Sequence, residues 1–129
     1  SEGSGAQEMV GYQIDLSDPS GAAIVRLTVK DKHLNRNGTL QGGIHSMLLD
    51  VAAGFSASRH LAGQDPDVAP VVTLSLTTHF ISSVPLGEVI ATGHVTGGGH
   101  KIVYANAEIR TADGRLLSQG SGVFKRITR

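Results

Sequence analysis

Residues 35–55, NRNGTLQGGIHSMLLDVAAGF, hold the side chains and glycines best suited to chemistry in this chain. A bare Gly42-Gly43 pair precedes an apolar helical pattern, and one carboxylate, Asp50, sits inside that pattern. A helix that starts on two glycines has no side-chain cap such as Ser or Asp. Its first-turn N–H groups are then free, and the helix dipole favours negative charge beside them. A reacting carbonyl placed there would find an oxyanion hole. A carboxylate bordering apolar surface beside a crevice should feel desolvation, as a functional acid does, unless it is a boundary residue that faces water. The small residues on the flank of Asp50 (Ser46, Ala53, Gly54 and Ala57, beside Met47) let another helix or a ligand come close. Gly42 and Asp50 are eight residues apart, about 12 Å of helical rise. One carbonyl cannot easily serve both on the same helix. If the two cooperate, Asp50 comes from the other chain of a two-fold pair.

Other chemistries are excluded by type or spacing. With no cysteine there is no disulfide, thiolate metal site or Cys nucleophile. The six histidines (33, 45, 60, 79, 94, 100) form no His-x-x-x-His pair. The GSG at 120–122 is not a nucleophile elbow, and the GGG at 97–99 lacks the Lys-Ser/Thr of a phosphate-binding loop.

The elements that must position these residues follow from periodicity. VGYQIDL (10–16) and AAIVRLTV (22–29) flank a DPSG turn and predict a hairpin. Residues 30–43 have no period and read as a loop. From Ile44, the positions Ile44, Met47, Leu48, Val51, Ala52 and Phe55 mark one buried face of a helix that runs to about Leu61. A loop is expected at 62–70. VVTLSLTTHF (71–80) alternates, with Val72, Leu74, Leu76 and Phe80 on one face and Thr73, Ser75, Thr77 and His79 on the other. Strands at 88–96, 101–111 and 115–127 follow, the last two joined by a tight Ala-Asp-Gly turn. The order is β-β-α-β-β-β-β: an α+β domain with one long helix and a mostly antiparallel sheet wrapped around it. Such a thin structure leaves a sheet edge open, and self-association is the usual remedy.

Composition sets the outer bounds. The 129 residues fit one domain, read as a flexible segment 1–9 followed by the domain 10–129. Eleven basic residues balance eleven acidic ones, which argues against a basic-patch nucleic-acid binder. No apolar run approaches the roughly 20 residues that span a bilayer, so no membrane association is expected and the default location is cytoplasmic.

Asn35, Gly38, Gln41-Gly42-Gly43, Leu49-Asp50, LGE (86–88) and ADGRLLSQG (112–120), in this order, resemble the hotdog-fold acyl-CoA thioesterases of the phenylacetic-acid-degradation (PaaI-like) type. The resemblance runs from about residue 10 to the end of the chain and implies the hotdog fold. It gives Gly42 the N–H that polarises the thioester carbonyl, and Asp50 the role of catalytic carboxylate acting from the opposing subunit. Asn35 would help hold the carbonyl or the attacking water, and Thr73 would assist the acid. Gln41 and Gly43 would border the substrate, and His100, Lys101 and Arg126 would meet the CoA phosphates. It implies hydrolysis of an acyl- or aryl-CoA in a homodimer or homotetramer, with CoA as part of the substrate and no cofactor. One departure is visible: Gln41 stands where the family pattern has His. Gln cannot carry a proton, which leaves open a second reading, a non-catalytic acyl-CoA-binding protein. A hotdog dehydratase would need its catalytic His beside the helix start, and His45 falls inside the first turn instead.

Overall fold

A computed structural model describes residues 3–63 and 69–127. The elements run α1 (Gly5–Val10), β1 (Gln13–Asp15), β2 (Ala23–Val29), a 3-10 turn (Asp31–His33), α2 (Gly42–Ala62), β3 (Val71–Phe80), β4 (Gly87–Gly98), β5 (Ile102–Thr111) and β6 (Leu116–Arg126). The six strands form one antiparallel sheet in the order β1-β2-β4-β5-β6-β3. The sheet wraps α2, which packs against β2, β3, β4, β5 and β6. This is the hotdog architecture expected from the sequence.

The N-terminal stretch differs from its sequence reading. The lead-in 1–9 contains most of a short helix, begun at Ser4, whose side chain accepts from Gln7 N–H, and ended at Gly11 in the left-handed region (φ 94°). The strand expected at 10–16 shrinks to Gln13–Asp15, because Val10 belongs to this helix. His33 ties the helix down: its Nδ1 accepts from Lys30 N–H at 2.9 Å, so Nε2 carries the proton and donates to Val10 O at 2.7 Å. The loop expected at 30–43 therefore contains a 3-10 turn with a structural task. The loop expected at 62–70 lies partly outside the described residues.

The central helix also turns a different face to the sheet. Its buried positions include His45, Leu48, Leu49, Ala52, Ala53, Ser56 and Ala57, which follow i, i+3, i+4, i+7, i+8, i+11, i+12, with Gly54 and Ser58 beside them. This face is the expected one shifted by one residue, about 100°: Leu48 and Ala52 belong to both and are buried, while Ile44, Met47, Val51 and Phe55 are only half-buried. The reason is the closeness of the sheet. Gly93 of β4 faces the Ala52 carbonyl, and Gly54 of α2 lies under the ring of Phe124. Only small residues fit there, so the small flank of Asp50 is occupied by the protein's own sheet, and the larger apolar side chains line the far side. Gly120 and Gly122 play the same part on β6: a Cβ at 120 would touch Leu49, and one at 122 would run into the Phe124 ring. That is the packing reason for the GSG sequence.

β3 departs from simple alternation. Its register against β6 shifts between Thr73 and Ser75, leaving Leu74 as a bulge. Thr73 thus shares the helix-facing side with Leu76, Thr78 and Phe80 and not with Ser75 and Thr77. β3 is an edge strand, and its apolar residues Val72, Leu74 and Phe80 are exposed.

Candidate active site

Three chain segments build the candidate site. The first is the turn before α2. The Asn35 side-chain oxygen accepts from Asn37 N–H (2.9 Å) and Thr39 N–H (3.1 Å). Gly38 closes the turn at φ 78°, where a side chain would be strained. A Leu34–Leu40 bridge and a bond from Gln41 N–H to His33 O (2.9 Å) fix the base of this loop against the helix start. The oxygen of Asn35 is thus consumed by the turn. Its NH2 group, the end that can donate to a carbonyl, has no hydrogen-bond partner among the described residues.

The second is the start of α2 itself. Gln41 is the N-cap residue, extended at φ −60°, ψ 135°, and its side chain makes no capping bond. The helix begins at Gly42, two residues before the expected Ile44. Ile44 and His45 N–H both bond to Gln41 O. The N–H groups of Gly42 and Gly43 precede any intrahelical acceptor. Gly43 is open, with no atom within 4 Å of where a Cβ would stand, and Gly42 meets only the ring of Phe80.

The third is Asp50 with its strand partner. Thr73 Oγ1 donates to Asp50 Oδ1 at 2.6 Å. The bulge at Leu74 matters here, since it sets the phase that aims Thr73 at the helix. Around this pair lies an open pocket walled by Val51, Gly54, Phe55, Pro70 and Val71. Phe55 is therefore wall and not core.

The structure brings Asp50 and Thr73 together and keeps Asn35, Gln41, Gly42 and Gly43 together, but as two separate groups along α2. A third group is the expected cationic one. Arg126 N–H bonds to Lys101 O at 2.8 Å, and His100, Lys101 and Arg126 are all exposed at one end of the sheet. Among the described residues no three His, Asp or Glu side chains gather to hold a metal, and no helix is long and apolar enough to cross a membrane.

Two neighbours are not among the site residues expected from the sequence, although His45 is weighed there as a dehydratase histidine. Tyr12 is buried, and burial pushes its hydroxyl pKa up; the hydrogen bond with Ser4 lowers it and the Asp50 charge adds to the rise. His45 is buried in the first turn of α2, with Nδ1 2.8 Å from Ser118 Oγ. No local pattern signals that pair, since 73 residues separate its members. Burial holds the His45 pKa below its ordinary 6.5, and the positive end of the helix dipole has the same sign of effect. The unfolded chain then binds the proton more readily than the folded one. This costs nothing above pH 6.5 and destabilises the protein as pH falls below it. Urea midpoints of wild type should drop between about pH 7 and about pH 5.5, and His45→Gln should flatten that drop. Parallel curves for the two proteins would refute the assignment.

Comparison with known proteins bears on this arrangement. The sequence profile of the Thioesterase superfamily matches residues 37–118. A Pseudomonas aeruginosa protein named as an esterase is 30% identical over 118 residues, 91% of this chain and 84% of that protein. Acyl-coenzyme A thioesterase 13 of Mus musculus is 26% identical over 99 residues, 75% of this chain and 67% of that one. Among solved structures, a conserved Pseudomonas aeruginosa protein superposes with a TM-score of 0.83 at 30% identity, covering 96% of this chain and 94% of that one. The E. coli PaaI protein from the phenylacetic acid degradation operon gives 0.85 at 23% identity, covering 98% and 87%, a likeness of fold.

Proposed function

The chain belongs to the thioesterase superfamily, and from that premise we propose that it hydrolyses an acyl-CoA thioester to free acid and CoA at a site shared by two subunits. The observation that carries the reading is the Thr73–Asp50 hydrogen bond of 2.6 Å, set at one end of an edge strand with one open side, whose other end, Phe80, lies beside Gly42. A copy of β3 added antiparallel about a two-fold axis near Leu76 would place Thr73 of one chain beside Phe80 of the other. Asp50 of the partner subunit would then approach Gly42, which removes the 12 Å problem (about eight helical residues). The exposed Val72 and Leu74 and the open backbone of β3 would be covered in the same step.

In this dimer the thioester oxygen accepts from Gly42 N–H and from the free NH2 group of Asn35. Negative charge that builds on that oxygen meets the positive end of α2. Asp50 of the partner subunit takes a proton from water, whose oxygen attacks the carbonyl carbon. The tetrahedral intermediate collapses as the C–S bond breaks, and the thiolate leaves without strong acid help. Thr73 keeps the carboxylate oriented by donating to one oxygen, so the other is free for the water. Lys101, Arg126 and His100 form an edge suited to CoA phosphates.

A thiol-release assay over short, medium, long and aromatic acyl-CoAs tests the proposal. Wild type should release thiol from at least one class. Thr73→Val should lower kcat about tenfold with little change in KM, since an orienting hydrogen bond is lost while binding surface stays. No release from any substrate, with acyl-CoA still bound, would favour the second reading, a non-catalytic binder, which exposed and uncharged Gln41 keeps in play.

A further inference from the structure

The ring of Phe80 occupies a position that neither core packing nor the reaction outlined above accounts for. Its Cε1 and Cζ lie 3.7 and 3.8 Å from where a Cβ on Gly42 would stand. Yet the residue is 56% exposed, an unfavourable place for an aromatic side chain unless something holds or covers it. It is held. The His45 ring meets it edge-on, with centroids 5.5 Å apart and planes at 82°. His45 Nδ1 is 2.8 Å from Ser118 Oγ, and Ser118 is the residue paired with Phe80 across β3 and β6. His45 and Ser118 are both buried. The three residues form a closed circuit of strand pair, hydrogen bond and ring contact, and its one exposed member lies beside Gly42.

We infer that Phe80 is the specificity-determining residue for the group carried next to the thioester carbonyl, and that His45 and Ser118 are the positioning residues that hold its ring beside Gly42. The inference rests on the thioesterase reading. A Cβ on Gly42 would stand in ordinary van der Waals contact with the ring, so the slot between the ring and the Gly42 backbone is about one carbon wide and an α-carbon placed in it leaves no room for a second. A carbonyl bound at Gly42 can carry an unbranched α-carbon past the ring. An α-methyl branch turned toward Phe80 has nowhere to go. The wall is stiff because the Ser118 bond fixes the His45 ring and the T-shaped contact fixes Phe80. In open water the same side chain would swing and discriminate little.

The test compares linear acyl-CoAs with their α-methyl isomers of equal carbon number, such as butyryl-CoA against isobutyryl-CoA, across several chain lengths. The readout is the ratio of kcat/KM values, branched to linear. Wild type should favour the linear member. Phe80→Ala should raise the ratio at least about tenfold, the lower end of what one carbon is worth in a tight pocket. His45→Gln and Ser118→Ala should shift it the same way by about threefold, because each loosens the ring without removing it. Loss of helix placement alone would lower both rates and leave the ratio unmoved. An unchanged ratio in Phe80→Ala, whatever its absolute rate, overturns this inference and leaves the thioesterase reading standing. Wild type that releases no thiol from any member of the series overturns this inference, and release from no aromatic acyl-CoA either overturns the thioesterase reading as well.

Discussion

Asp50→Asn should lower kcat about 1,000-fold while acyl-CoA affinity stays within about threefold. The substitution is nearly isosteric. Its side-chain oxygen can still accept the hydrogen bond that the Thr73 hydroxyl donates to Asp50 Oδ1 at 2.6 Å in the native protein. α2 and β3 therefore keep their contact, and the stability of the variant should match wild type. What disappears is the one group in the candidate site able to take a proton from water, because an amide oxygen is a far weaker base. General-base catalysis is worth roughly 100- to 10,000-fold, and the middle of that range corresponds to about 4 kcal/mol of barrier. Asp50→Ala is the poorer experiment, since it also strands the Thr73 hydroxyl and opens a hole in the pocket wall. Thiol release under single-turnover conditions gives the rate, and calorimetric titration with CoA and a non-hydrolysable thioether analogue gives the affinity. An Asp50→Asn protein with more than a tenth of the wild-type rate would remove Asp50 from the mechanism and leave Gly42 and Asn35 as a binding cradle only.

Much of the site was legible because its logic is local. Asn35, Gly38, Gln41, Gly42 and Gly43 lie within nine residues, and the turn and the uncapped helix start both follow from residue type. The separation of Gly42 from Asp50 follows from helix geometry alone. β3 matched its expected bounds, and β4, β5 and β6 fell within two residues of theirs, since their alternation and turn signals are short-range. The errors arose where distant chain decides. Period alone placed Leu48 and Ala52 on the buried face correctly but added the bulky Ile44, Met47, Val51 and Phe55, whereas the approach of β4 at Gly93 demands small residues, so Ala53 and Ala57 face the sheet beside Ala52. The alternation of β3 reads continuously in sequence, and only its register against β6 reveals the bulge at Leu74 that turns Thr73 to Asp50. The His45–Ser118 pair is a tertiary fact with no local signature.

The residue that ties this fold to its site most tightly is a glycine, and Gly93→Ala should destabilise the protein by more than about 4 kcal/mol. Gly93 sits in the middle of the sheet, paired with Ala23 on one side and Ala107 on the other. A Cβ there would stand 2.1 Å from Ala52 O, 2.4 Å from Ala52 C and 2.8 Å from Ala53 N. These are backbone atoms of α2, with no flexible tip to swing aside. Relief requires α2 to back away from β4 by more than about 1 Å, and a close-packed interior does not give that freely. The retreat would loosen the fully buried Leu48 and Leu49. It would also strain the Ser56 hydroxyl, which donates to Ala52 O (2.9 Å) and accepts from Ala23 N–H (3.1 Å). Gly54→Ala is the matched control, since its Cβ would meet only Phe124 Cε1 at 3.3 Å. A slight turn of that ring offsets the roughly 1 kcal/mol of helix propensity gained, so its net effect should be small. Urea unfolding of both variants separates the two cases. A Gly93→Ala protein within about 1 kcal/mol of wild type would mean that α2 is not pressed onto β4 as closely as these distances require. Asp50 lies two residues before Ala52 on the same helix, so any folded fraction of Gly93→Ala should also lose turnover, through displacement of the carboxylate from Thr73.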